Sequence, residues 1–227
     1  MKGLTLSIFY TAKKSFFIYL VVGIIAAVVF SFLNPTMNSF LAIIFLISPI
    51  TDNFKREKDS RWMNYISTLP VRRADYVKSY YIIFLLCALV GILAGVPSVG
   101  LITQSLSMVF ISLCVAIGGA GTFSIMFPLT FKFGSENSNV IVMTTTFAVI
   151  IISFLFYIAS MILSNQTGSG SMITMLSNTQ SYVVYSIYGI LGLISIIISY
   201  ILSIKIVKSR LLCKMLYNVF TISTYQN

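Results

Sequence analysis

The sequence contains no histidine and only five acidic residues. Without histidine the commonest metal ligand and neutral-pH general base is missing. This argues against an intramembrane metalloprotease, which needs His and carboxylate ligands. Charged residues of both signs make up 9% of the chain, against about 25% in a soluble domain. So little polar surface cannot coat a globule, and the class is integral membrane protein. The three cysteines, Cys87, Cys114 and Cys213, show neither CxxC nor metal spacing and carry no disulfide signal. No GxxxxGK[ST] occurs, so the chain does not bind and hydrolyse ATP through a P-loop of its own. No cofactor or metal site is expected within it.

What the chain has in abundance is apolar sequence: 58% hydrophobic residues and a mean hydropathy of +0.97. About 20 apolar residues cross a bilayer, so the 227 residues have room for six spans with short loops. The predicted architecture is an all-α integral membrane protein, a single polytopic domain over 1–227. Its spans fall at about 16–33, 37–51, 79–96, 101–127, 140–163 and 182–204. The first run, Phe16 to Leu33, ends at Asn34-Pro35 with no small-residue cleavage site after it, so it reads as a membrane span and not as a signal peptide. The second is short and carries Pro49. The third is expected to stop at Pro97, and Pro128 is expected to break the fourth.

Charge fixes the orientation. With the N-terminus inside, the segments 1–15, 52–78, 128–139 and 205–227 are cytoplasmic and hold 3, 7, 1 and 4 Lys or Arg, which is all 15. The outer segments hold none, including the Ser/Thr/Asn/Gly-rich loop 164–181. The positive-inside rule therefore predicts six spans with both termini cytoplasmic. The net charge of +10 is explained in this way, without nucleic acid.

None of the six predicted spans contains Asp, Glu, Lys, Arg or His. Ionisable groups within lipid usually mark proton relays or ion paths, so their absence argues against proton-coupled transport and against acid–base chemistry inside the bilayer. The fourth span carries Gly118, Gly119 and Gly121 among Ser112, Thr122 and Ser124, and the fifth carries Thr144, Thr145, Thr146 and Ser153. Small residues let spans approach closely, which serves packing within the bundle or an interface between subunits. The ten Met and many Phe side chains suit either a core or an adaptable apolar cavity.

Against this background, residues 52–78 form a polar island with 7 of the 15 basic residues, 4 of the 5 acidic ones and the only Trp. Trp62, Tyr65, Ile66 and Leu69 recur at helical spacing and make one apolar stripe, with Lys58, Arg61, Asn64 and Thr68 on other faces. Asp59 or Ser60 is placed to cap this short helix, and Pro70 discourages its continuation. Arg72, Arg73, Asp75 and Lys78 lead into the third span. Such a helix can lie in the membrane interface among lipid phosphates or dock apolar stripe first into a cytoplasmic protein. The acids interleaved with the bases favour docking. A second inner loop, FPLTFKFGSENSN, offers Lys132, Phe133 and Glu136, with Gly134 for a turn.

These two stretches resemble a known family. Asp52 followed by WMNYISTLPVRRADYVKSYYI is similar to the inner loop of bacterial ABC-2 type transporter permeases, and FPLTFKFGSEN to the loop before their fifth span. The family commonly has Lys where Tyr80 stands and a Ser or Thr cap where Arg72 stands, and the tail after Val207 is unlike its short charged tails. The resemblance covers about residues 1–204. It implies a permease subunit in the bacterial cytoplasmic membrane, not itself an enzyme. Such a subunit pairs with a second copy or a paralogue and with two cytoplasmic ATPase subunits that hold ATP and Mg. The short helix would then be a coupling helix. The ATPase interface would comprise Lys58, Asp59, Arg61, Trp62, Tyr65, Ile66, Leu69, Pro70, Arg72, Arg73, Lys132, Phe133 and Glu136. Small permeases of this kind include exporters of amphipathic peptides such as phenol-soluble modulins, and proteins giving bacteriocin immunity. A competing expectation is a sensory, structural or immunity protein that binds a non-ATPase partner through 52–78.

Overall fold

A computed structural model describes residues 2–34, 38–59, 73–134, 137–163 and 179–225. All regular structure among them is helical: α1 (Lys2–Leu33), α2 (Asn38–Asp59), α3 (Arg73–Thr103), α4 (Leu106–Phe123), α5 (Met126–Phe133), α6 (Ser138–Leu163) and α7 (Thr179–Tyr225). Backbone groups in lipid have no water to bond, so a helix that satisfies its own amides is the form such apolar runs adopt. Among the described residues five stretches are long and apolar enough to cross a membrane: Gly3–Phe32, Ala74–Thr103, Leu106–Phe133, Ser138–Leu163 and Ser181–Ser209.

α2 is not one of the five. Its first two turns and middle are apolar, but its last eight residues carry Asp52, Lys55, Arg56, Glu57, Lys58 and Asp59. It is enclosed by α1, α3, α4 and α6. Ile43, Ile47, Ile50 and Phe54 recur at three- and four-residue spacing and are almost fully buried, which is one face of a helix. Enclosure by other helices buries this face although the apolar run is short.

Several expected boundaries move. Residues 2–15 are not a separate basic segment but the first half of α1, packed through Ile8 and Ala12. The second helix does not end at Thr51 but continues to Asp59, so the first part of the polar island belongs to the bundle. Pro97 lies inside α3, which runs on to Thr103. Membrane helices tolerate such a proline because neighbours and local adjustments satisfy the freed groups. Gln104, in the left-handed region at φ 48, then closes α3 by donating its N–H to the Gly100 carbonyl at 3.1 Å. The fourth span breaks at Ser124-Ile125, not at Pro128. Pro128 sits in the first turn of α5, where its missing N–H costs nothing. Gly134, at φ 87, ends α5. The tail that was expected to begin at Lys205 continues α7 to Tyr225.

The bundle has two parts. α1, α2 and α3 pack on one another, α7 packs on α4, α5 and α6, and the parts join through α2 and α3 against α4 and α3 against α7. The α4–α7 crossing is made by glycine. A Cβ on Gly192 would lie 2.6 Å from both the Gly118 Cα and the Ile117 carbonyl oxygen, and one on Gly121 would collide with the backbone of Gly192. Only hydrogen fits between these backbones, the small-residue contact that lipid-embedded helices use.

Candidate functional site

Charge and buried polarity meet at one end of the bundle, where α2 ends, α3 begins and the first half of α1 lies against both. The apolar face of α2 that carries Ile50 and Phe54 continues one turn further to Glu57. Opposite it, Tyr76 and Tyr80 stand one turn apart on α3 and so point the same way. Both phenols donate to the Glu57 carboxylate: Tyr76 to Oε2, and Tyr80 to Oε1 at 2.5 Å. The tyrosines are held in turn by rings. Phe54 stacks on Tyr80 at 4.5 Å and 9°, Tyr76 meets Tyr80 edge-on at 5.0 Å, and Phe131 of α5 meets Tyr76 edge-on at 5.9 Å.

The carboxyl is therefore fixed in an apolar surround. Burial pushes its pKa from 4.5 up to about 7, although the two phenolic hydrogen bonds pull the other way. Desolvation disfavours the charged form, and here it exceeds the help that two donors give.

α1 completes the site. Asn53 is buried and donates its Nδ2 to the Ile8 carbonyl at 3.2 Å. Arg56, exposed, donates Nη1 to the Thr11 carbonyl at 2.8 Å. Thr5 donates to Ser79 of α3 at 3.1 Å. Between the three helices is an opening of about 260 Å³, with Ser7 and Thr11 of α1, Asn53, Arg56 and Glu57 of α2, and Tyr76 of α3 on its walls. The Asn53 Oδ1 is buried and has no hydrogen-bond partner among the described residues. An acceptor left in that state costs about 1–3 kcal/mol. The ion pair Lys55–Asp52, at 3.7 Å and largely in solvent, adds little.

The predicted docking residues divide around this site. Arg61, Trp62, Tyr65, Ile66, Leu69, Pro70, Arg72 and Glu136 lie outside the described residues. Lys58 and Asp59 are the last two residues of α2, with Asp59 exposed, and Arg73 is the first of α3. Lys132 and Phe133 are exposed at the end of α5, the ammonium 5.5 Å from the ring centroid. Since Phe131 packs on Phe54, Tyr76 and Tyr80, both polar stretches emerge at the same end of the bundle. Glu57, Tyr76, Tyr80 and Asn53 were not among the predicted site residues. Their signal was the register of α2, in which Glu57 follows Ile50 and Phe54 by seven and three residues on the buried face. Ending the helix at Thr51 hid it.

Over residues 3–208 the chain matches the sequence model of a family described as "ABC-2 family transporter protein". Comparison with curated proteins and with solved structures gives no match.

Proposed function

The chain belongs to the ABC-2 transporter family, and on that premise we propose that it is the permease subunit of an ATP-driven exporter of amphipathic cargo, a peptide above all. As a family member it is a multi-pass membrane protein, in bacteria of the cytoplasmic membrane, and a transmembrane subunit that works with ABC ATPase subunits. In the proposed arrangement α2 is a sixth span, both termini are cytoplasmic, and a second permease copy or paralogue completes the pathway. ATP and Mg are held by the partner ATPase. The ATPase grips the stretch 60–72, which follows the last residue of α2 and precedes the first of α3.

The observation that carries the reading is the Glu57–Tyr76–Tyr80 clasp. Residues 60–72 are the stretch between α2 and α3, and the clasp ties the helices on either side of it to each other. A push on that stretch is then delivered to α2 and α3 together. α2 is the helix that four others enclose, so its displacement reaches both parts of the bundle. The sequence has no P-loop of its own, and in this reading the energy comes from the partner.

The test is co-purification of the chain with a co-expressed ABC ATPase subunit. Trp62→Ala, and charge reversal at Arg61 together with Arg72, are expected to lower ATPase recovery at least about tenfold and to abolish cargo-stimulated ATP hydrolysis. Unchanged recovery and unchanged stimulation in both variants would sink the proposal.

A further inference from the structure

The opening beside Glu57 has a chemistry that the clasp does not use. The Asn53 amide cannot be turned round, because its Nδ2 is committed to the Ile8 carbonyl and a flip would set two oxygens against each other. Its Oδ1 therefore remains a buried acceptor in need of a donor. The carboxylate of Glu57 is on the same wall one turn on, and Ser7 and Thr11 of α1 line the opening with it. About 260 Å³ is far more than the ~10–15 Å³ a single water needs. A group rich in N–H donors and positively charged answers all of these acceptors at once, and a primary ammonium is the compact group that has three.

Arg56 qualifies that ligand. Its guanidinium is pinned at the mouth by the Thr11 carbonyl. There it repels a lone cation and attracts an anion. The ligand that suits both charges carries its ammonium inside and an anionic group outside. Leu4 and Ile8 add an apolar border, and the site lies at the end of helices long enough to cross a membrane. We propose that this opening is a binding site for the zwitterionic phosphoethanolamine group, either as the head of an aminophospholipid or free, with Glu57 and Asn53 taking the ammonium and Arg56 the phosphate. It lies beside α2 and α3 where they lead into 60–72, so an occupied site braces the same two helices as the clasp.

The ammonium binds the ionised carboxylate. The titratable and charged groups beside Glu57 include Tyr76 and Tyr80 from α3 and Arg56 from α2, and the lining of α1 contributes no charged side chain. Glu57 itself, held near pH 7 by burial, therefore sets the dependence. Binding strengthens as pH rises through that value and weakens below it.

The experiment uses the full chain in phosphatidylglycerol nanodiscs doped with either phosphatidylethanolamine or phosphatidylcholine, and native mass spectrometry reads the lipid retained through delipidation. Phosphatidylethanolamine is expected to be retained at about pH 8 and roughly tenfold less at about pH 6. Phosphatidylcholine, whose three methyl groups replace the N–H donors, is retained at neither. Glu57→Gln and Asn53→Leu remove the preference at the higher pH. Displacement by free phosphoethanolamine assigns recognition to the head alone, and failure to displace assigns it to the whole lipid. Equal retention of the two lipids at both pH values overturns the proposal, as does a folded Glu57→Gln protein that keeps the preference. Should neither variant fold, the headgroup and pH comparison on the unaltered chain decides. ATPase recovery is measured separately, so this site and the transport function fail independently.

Discussion

Where α4 crosses α7 the two backbones meet over Gly118, Gly121 and Gly192, whereas α2 and α3 are joined at the charged end through side chains, Glu57 to Tyr76 and Tyr80. The first contact is backbone on backbone, with the Tyr188 ring against Gly118 and the Ser195 hydroxyl on the Gly121 carbonyl, and these contacts involve no charged group. Lipid tails are as apolar as the helices, so such a contact is held by close packing. The second is built from a carboxyl close to neutrality and two phenols, and it changes with pH and with whatever enters the neighbouring opening. A transporter needs both kinds: a joint that keeps its shape and a joint that can be adjusted. In this chain they are separated in space.

Filling the glycine crossing is expected to break the comparison most severely. Gly192→Leu drives a branched side chain into the Gly118 Cα and the Ile117 carbonyl. Neither is the movable end of a side chain, so the helices must part. A loss of about 4 kcal/mol or more is expected, read as a fall in thermal midpoint in detergent. Gly3→Ala, where nothing lies within 4 Å, serves as the control and is expected to leave the midpoint in place. A tolerated Gly192→Leu would show that the crossing is not a rigid joint.

The clasp is expected to respond to pH in a way that the glycine crossing does not. Glu57 has its pKa raised from 4.5 to about 7 by burial, so the folded state binds the proton more tightly than the unfolded one. Stability is then highest below about pH 4.5, falls as pH rises through the window to about 7, and is flat above it. The full shift corresponds to a little over about 3 kcal/mol, reduced by solvent at the mouth of the opening. Glu57→Gln, which keeps the shape and cannot ionise, is expected to flatten the unfolding profile across that window. A variant profile as steep as the parent's would assign the slope to other groups.

How much of this was legible in the sequence depends on whether composition or packing decides. The membrane class and the helical content follow from long apolar runs, which only helices can carry through lipid here. Glu57 shows where legibility ends. Read as one charge in a run of charges, it belongs to a solvated loop. Only the presence of α1 and α3 around the end of α2 makes the helix continue and turns that carboxyl inward. Pro97 and Pro128 misled for a related reason. A proline is read as a stop, but Pro97 is carried through by its neighbours, and Pro128 falls in a first turn once the helix has already broken at Ser124. That break had its own signal, a run of glycines and hydroxyls, which packing explained as well as bending did.

The smallest effect is expected at that break. Ser199 of α7 donates to the Ser124 carbonyl at 2.6 Å, and Ser195 to the Gly121 carbonyl at 2.9 Å, so α7 receives two carbonyls from the turn where α4 gives way to α5. With its own proton committed, Ser199 accepts from the Tyr81 hydroxyl at 2.7 Å. Ser199→Ala removes both bonds, yet Tyr81 also has Ser203 within 3.1 Å and keeps a partner. The cost should be near 0.6 kcal/mol, the average for such interhelical bonds in lipid. Removing Ser203 as well leaves the buried phenol without either, and the double variant should lose more than the two single variants together. Additive losses would mean that Tyr81 finds its partner elsewhere. The α3–α7 contact between the two parts of the bundle would then not depend on this pair of serines.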